Sequence, residues 1–205
     1  MTTERDNPLL KLAEWVWQLR REQSRHRVID IVSERAQQAD GDDYRFLAFE
    51  FAHLLREAER IDEAIQTLDQ VSDRYPDDVR AVMGKASIYF WRLDQPEQAL
   101  ECIDVALERA RRTGFSRREA LGDKARILLK LSRGDELSDV LEEIMSLQMV
   151  PGIPDVARER DFVDRAPPGL IRKNVLERYN EFCPRRPDDG LGDEPPKYEP
   201  ANDWM

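Results

Sequence analysis

Residues 45–78 read RFLAFEFAHLLREAERIDEAIQTLDQVSDRYPDD, and where their small and bulky apolar side chains fall decides the fold. Counting Arg45 as the first position, Ala52 and Ala64 stand at the eighth and twentieth. Two antiparallel helices cross closely only where side chains are that small. Phe51, Leu55, Leu68 and Val71 supply bulk at the seventh, eleventh, twenty-fourth and twenty-seventh positions, at helical spacing. Pro76 falls at the thirty-second and stops the second helix, because its ring removes a donor and clashes with the preceding turn.

The arrangement returns downstream. From Arg80 to Thr113, Ala99 takes the twentieth position, with Ala86, Phe90, Leu93, Ile103 and Ala106 along the seam. Leu93-Asp94-Gln95-Pro96 makes the turn, and Pro96 suits a first helical turn whose amides have no intrahelical acceptor. A third copy from Arg118 to Gly152 has Leu121, Ala125, Leu128 and Leu131 on one helix and Leu137, Leu141 and Ile144 on the next. Leu137 replaces alanine at the twentieth position, so these two helices are expected to sit further apart.

This pattern resembles the tetratricopeptide repeat, over roughly Tyr44 to Met149. The resemblance implies an all-α fold, a right-handed α-solenoid of about three helix pairs, and protein binding in its concave groove. Residues 1–43 are expected to form an N-terminal helical pair, a degenerate repeat or cap: Leu9, Leu12, Ala13, Val16 and Leu19 mark a helix from Pro8 to Arg21, and Val28, Ile31, Val32 and Ala36 mark one from His26 to Gln38. The DGDD at Asp40 to Asp43 is expected to stop that helix and cap the next. Residues 44–150 hold the repeats. Residues 151–183 are expected to cap the open end with short helices at about Asp155 to Arg165 and Leu170 to Phe182. The segment 184–205 has five prolines and two glycines in 22 residues, is acidic, and cannot build a core, so it is expected to be extended or disordered.

Composition narrows the function. A formal charge of −10 over 205 residues argues against a general nucleic-acid binder, whose affinity for phosphate needs a basic surface. Two unspaced cysteines, Cys102 and Cys183, give neither a disulfide framework nor a zinc pattern and suit a reducing cytoplasm. The opening MTTERDNPLLKLAEWVWQLRR has acids where a secretory leader needs bases, and no apolar run approaches the roughly 20 residues of a membrane helix. A soluble, cytoplasmic protein with no membrane partner is expected.

In the family, the first helix of each repeat lines the groove, chiefly at its second, fifth, sixth, ninth, twelfth and thirteenth positions. The resemblance thereby assigns partner binding to Phe46, Phe49, Glu50, His53, Arg56 and Glu57, then to Ala81, Gly84, Lys85, Ile88, Trp91 and Arg92, then to Glu119, Gly122, Asp123, Arg126, Leu129 and Lys130. Such a groove mixes aromatic anchors with cations suited to an acidic flank on a peptide or helix. The alternative is that Phe46, Phe49 and Trp91 pack between repeats. Relatives that bind chaperone tails hold a terminal carboxylate with lysine and asparagine at the fifth and ninth positions. Phe49 and His53 stand there, so that ligand is not expected.

Nine Lys or Arg against two acids lie between Arg109 and Arg133, with Arg109, Arg111, Arg112, Arg117 and Arg118 forming a basic edge beside Gly114, while Asp135 to Glu143 carries five acids. This polarity would steer an acidic protein segment, or more remotely RNA; the plainer reading is a solvated face. Tyr198 and Trp204, set among acids and prolines, resemble anchors of a groove-docking peptide, in the chain's own solenoid or in a homo-oligomer. Glu50 and His53 lie one turn apart, as in carboxylate-bridged di-metal sites, but those need the motif twice and further glutamates. With two histidines, no glycine-rich phosphate loop and no nucleophile elbow, the sequence predicts no enzyme, no cofactor and no metal. A scaffold or adaptor is expected first, and a dedicated chaperone or immunity-type protein that sequesters one partner second.

Overall fold

The computed structural model describes residues 7–114, 116–147, 160 and 162–183, and among them nine α-helices and no strand. α1 (Pro8–Glu22) opens where the Asn7 side chain accepts the Leu9 amide at 3.0 Å and Pro8 takes a first-turn place that has no amide to lose. α2 (Arg25–Gln37) opens on the Ser24 hydroxyl, which accepts the Arg27 amide. α3 (Gly41–Glu57) starts four residues before Arg45. Asp40 makes no side-chain cap bond, contrary to the capping expected of DGDD; Asp42 and Asp43 sit instead in the first turn, where carboxylates face the positive end of the helix dipole.

α4 (Ile61–Arg74) leads through Pro76 to α5 (Val79–Trp91), which Asp78 caps by accepting the Arg80 amide at 2.9 Å. α6 (Pro96–Thr113) begins on its proline and ends on Gly114, whose φ of 73° makes the left-handed stop that glycine supplies without strain. α7 (Arg117–Lys130), α8 (Gly134–Ser146) and α9 (Lys173–Phe182) complete the described helices. Each helix packs on its neighbours in sequence, and the stack is a right-handed α-solenoid of helix pairs with an N-terminal pair and a C-terminal cap.

The seam is where the alanines are. Ala52, Ala64, Ala86, Ala99, Ala106 and Ala125 are buried, as are Leu55, Leu68 and Val71, and Leu137 fills the twentieth position of the third repeat. One apolar cluster joins α1 to α5 and a larger one runs from α5 to the cap. Phe51 is partly buried and packs against the first of these clusters, while one seam expectation fails, Leu93 lying exposed in the α5–α6 turn.

The backbone repeats more faithfully than the side chains. At the fifteenth position of the three repeats stand Glu59, Asp94 and Ser132, none of them glycine, with φ of 58°, 54° and 56°. The residue after each, Arg60, Gln95 and Arg133, then accepts the amide of the twentieth position, at 3.1, 3.1 and 3.0 Å. One left-handed residue thus reverses the chain in every repeat.

At the far end Ile171, Val175 and Tyr179 bury themselves against α8, and the acidic run on α8 meets cations from the cap: Arg172 lies 2.6 Å from Asp139, and Arg178 lies 3.2 Å from Glu142. The cap therefore rests on both apolar burial and charge. Most of the helix expected from Asp155 to Arg165 falls outside the described residues, although Arg160, Phe162 and Val163 are buried there. Tyr198 and Trp204 also lie outside them.

Candidate functional site

The first helices of successive pairs, α1, α3, α5 and α7, meet along one face. At its start, Arg20 of α1 reaches Glu57 at 2.7 Å and Glu50 at 4.0 Å on α3. His53 pairs with Glu57, one turn on, rather than with Glu50: its Nε2 lies 2.8 Å from Glu57 Oε1, while Arg56 Nη2 lies 2.7 Å from Nδ1. Burial lowers the His53 pKa, with Arg56 and Arg20 adding to the effect and Glu57 opposing it. A neutral imidazole fits this geometry, accepting from Arg56 and donating to Glu57. Burial likewise raises the Glu50 carboxyl, against the attraction of Arg20. Both histidine nitrogens are engaged, and among the described residues no three potential metal ligands come together.

Further along, Arg56 and Arg92 face one another across α3 and α5, and burial together with the Arg92 charge lowers the pKa of Arg56. Arg56 Nε is buried with no acceptor, and Arg92 is held by Glu59 at 3.5 Å. Beside them Trp91 is 44% exposed, its ring set edge-on to Phe90 at 4.6 Å. The Arg126 guanidinium lies 5.9 Å from the Trp91 ring and 5.7 Å from the Phe162 ring, and pairs with Asp123 at 3.0 Å. Lys130 crosses to Asp94 and lies 5.2 Å from the Phe90 ring. The Arg92–Glu59 and Lys130–Asp94 pairs are the same contact one repeat apart, from the thirteenth position of one repeat to the fifteenth of the preceding one.

Other residues assigned to the groove turn elsewhere. Ile88 is 2% exposed and belongs to the core cluster of α1 to α5, because it packs back onto the preceding repeat. Phe46 packs against that same cluster, and Phe49 is covered by Arg80, 4.9 Å from its ring. Lys85 faces Asp69 of α4, whose hydrogen bond and charge outweigh burial and raise the lysine pKa. Leu129 packs on the larger cluster.

Of the basic edge, Arg109 is a structural tie, donating to the Ser72 hydroxyl at 2.9 Å and to the Asp78 carbonyl at 3.1 Å. Arg117 pairs with Glu143 at 2.6 Å, and the exposed Arg111 and Arg112 lie 3.4 and 3.8 Å from Glu108 and Asp77. Arg118 is partly buried. Sequence reasoning missed Arg20, Glu59, Asp94 and Phe162 at the site. Only the acids recurring at the fifteenth position gave a signal that could have found two of them.

Residues 55–115, from the end of α3 through α6, match the family model described as tetratricopeptide repeat. Over those residues the chain is similar to the tetratricopeptide repeat, and its helix pairs have that fold. Two crystal structures of nearly identical TPR-like repeats, from a kinesin-light-chain type protein of Podosopora anserina, share its fold. A single-substitution variant is 16% identical, with a TM-score of 0.59, covering 88% of this chain and 96% of that one. The other is 15% identical, with a TM-score of 0.54, covering 86% and 88%. No curated protein matches the chain. Repeats of this kind support a protein-interaction scaffold in the general sense, and no described helix is long and apolar enough to cross a membrane.

Proposed function

We propose that this chain is a non-catalytic, cytoplasmic adaptor that lays an acidic-flanked peptide or helix along the face of α3, α5 and α7. One observation carries the reading: Arg56 and Arg92 bring two like charges together, with Glu57 beside the first and Glu59 beside the second, next to a half-exposed tryptophan. An incoming carboxylate relieves that repulsion, while Trp91 offers an aromatic platform. Arg126 and Lys130 extend the cationic side. In this reading residues 44–150 are the binding unit, with 1–43 and 151–183 closing its ends.

The test is affinity capture with the wild-type chain, Trp91→Ala and Arg92→Glu, each first shown by circular dichroism to be as helical as wild type. Trp91 and Arg92 are 44% and 38% exposed, so folding is expected to survive, while captured partners fall at least tenfold in each variant. Partners retained by both variants would place binding on another surface. Stoichiometric capture of one tightly held protein would favour the sequestering reading over the adaptor.

A further inference from the structure

The described chain stops at Cys183, and its position there matters. The Cys183 carbonyl accepts from Arg160 Nη1 at 2.9 Å. Two residues beyond Arg160, the Phe162 ring lies 5.7 Å from the Arg126 guanidinium, which lies 5.9 Å from the Trp91 ring. Cys183, the last described residue, is thus tied by a short run of contacts to the candidate binding face. From Cys183, the 21 residues to Trp204 span at most about 70 Å when extended, so reach does not limit what they can touch.

The chemistry of that segment complements the face. Residues 184–205 hold six acids against Arg185, Arg186 and Lys197, and from Asp188 onward Lys197 alone stands against the six. Tyr198 and Trp204 are its aromatic residues, and Pro195, Pro196 and Pro200 restrict its backbone, which lowers the entropy lost when a strand-like peptide is laid on a surface. We infer that the face of Trp91, Arg56 and Arg92 is occupied by the chain's own segment 184–205, with Trp204 against Trp91 and Glu199 and Asp203 toward the two arginines, so that partners bind by displacing it. This rests on the adaptor reading of the same face and adds its regulation.

The test uses the full chain and a fluorescent synthetic peptide of residues 190–205. A tethered segment at an effective concentration of about 1 mM competes with a free peptide of about 100 μM affinity and weakens it about tenfold. The double variant Tyr198→Ala/Trp204→Ala is therefore expected to bind the peptide about tenfold more tightly than wild type, and adding Trp91→Ala is expected to abolish the gain. Equal binding to wild type and the double variant overturns the inference, as does binding to neither. Light scattering that shows a wild-type dimer dissolved by Trp204→Ala overturns it too, since the segment then sits on a neighbouring copy. If unrelated acidic aromatic peptides bind the double variant through Trp91 while the chain's own peptide does not, self-docking falls and the adaptor reading stands. If no such peptide binds, both fall.

Discussion

Gly134 is the residue whose replacement most directly tests how the solenoid is closed. A Cβ built there lies 2.1 Å from the Leu170 carbonyl oxygen, 3.1 Å from its carbonyl carbon and 3.0 Å from Leu170 Cδ1. Two of these atoms are backbone, so no rotamer change relieves the clash, and the segment must retreat by about 1 Å or more to reach van der Waals separation. The retreat loosens the Arg172 amide from the Ser138 hydroxyl, now 3.0 Å apart, while that hydroxyl also donates to the Gly134 carbonyl at 2.8 Å. Full release of the cap would expose Ile171, Val175 and Tyr179, at about 1.5–3 kcal/mol each, so a shift in place is the cheaper response.

Overpacking of this kind costs about 1–3 kcal/mol, and alanine's helical advantage returns little at the first residue of α8. At about 2–4 °C per kcal/mol, Gly134→Ala should melt about 2–12 °C below wild type. Hydrogen exchange should also rise in α9 before it rises in α3. Gly84→Ala is the control: its Cβ meets the Leu68 side chain, its methyls at 3.2 and 3.4 Å, and the interior of α5 favours alanine by about 1 kcal/mol. A Gly134→Ala protein as stable as wild type, or no worse than Gly84→Ala, would refute the close approach of the cap.

The twentieth position offers a reciprocal pair. Ala64→Leu overfills a fully buried seam and should cost about 1–3 kcal/mol, whereas Leu137→Ala leaves a hole and should cost about 2–5 kcal/mol, both read from chemical denaturation. His53 predicts a pH effect. Its folded pKa lies below the ordinary 6.5 because of burial, so the unfolded chain takes up more protons there, and stability present above pH 6.5 is lost as pH falls below it toward the folded value. Glu57, Arg56 and Arg20 are the charges that act on the ring. Raised Glu50 works the opposite way, gaining stability as pH falls through its folded value. Melting from pH 7.5 to 5.5 should therefore fall more steeply in wild type than in His53→Gln, and equal slopes would sink the assignment.

Most of the architecture was legible because it is written in side-chain size. Ala52, Ala64 and Ala99 gave the crossing points, and Pro96 and Gly114 the ends of α6. The site was less legible because helical periodicity tells which residues share a face but not which neighbour covers it. Phe49 reads as a groove aromatic until Arg80 is seen over it, and Lys85 reads as a groove cation until Asp69 of α4 claims it. Arg20 could not have been placed at all, since its partners lie on another helix pair.

The turn between the helices explains where the repetition stops. In the first two repeats the left-handed residue is an acid, Glu59 or Asp94, and a cation from the next first helix, Arg92 or Lys130, reaches back to it. The third repeat has Ser132 in that place, which offers no charge to a following helix. Two positions later the first and second repeats carry Ile61 and Pro96, whose side chains fill the start of the second helix, while the third carries Gly134. The missing side chain is what lets the Leu170 backbone approach, and the Ser138 hydroxyl then takes the Arg172 amide. The third repeat thus keeps the backbone turn of the other two while changing the charge and volume around it, so that what stacks on it is a cap held by Arg172 and Arg178 instead of a fourth repeat.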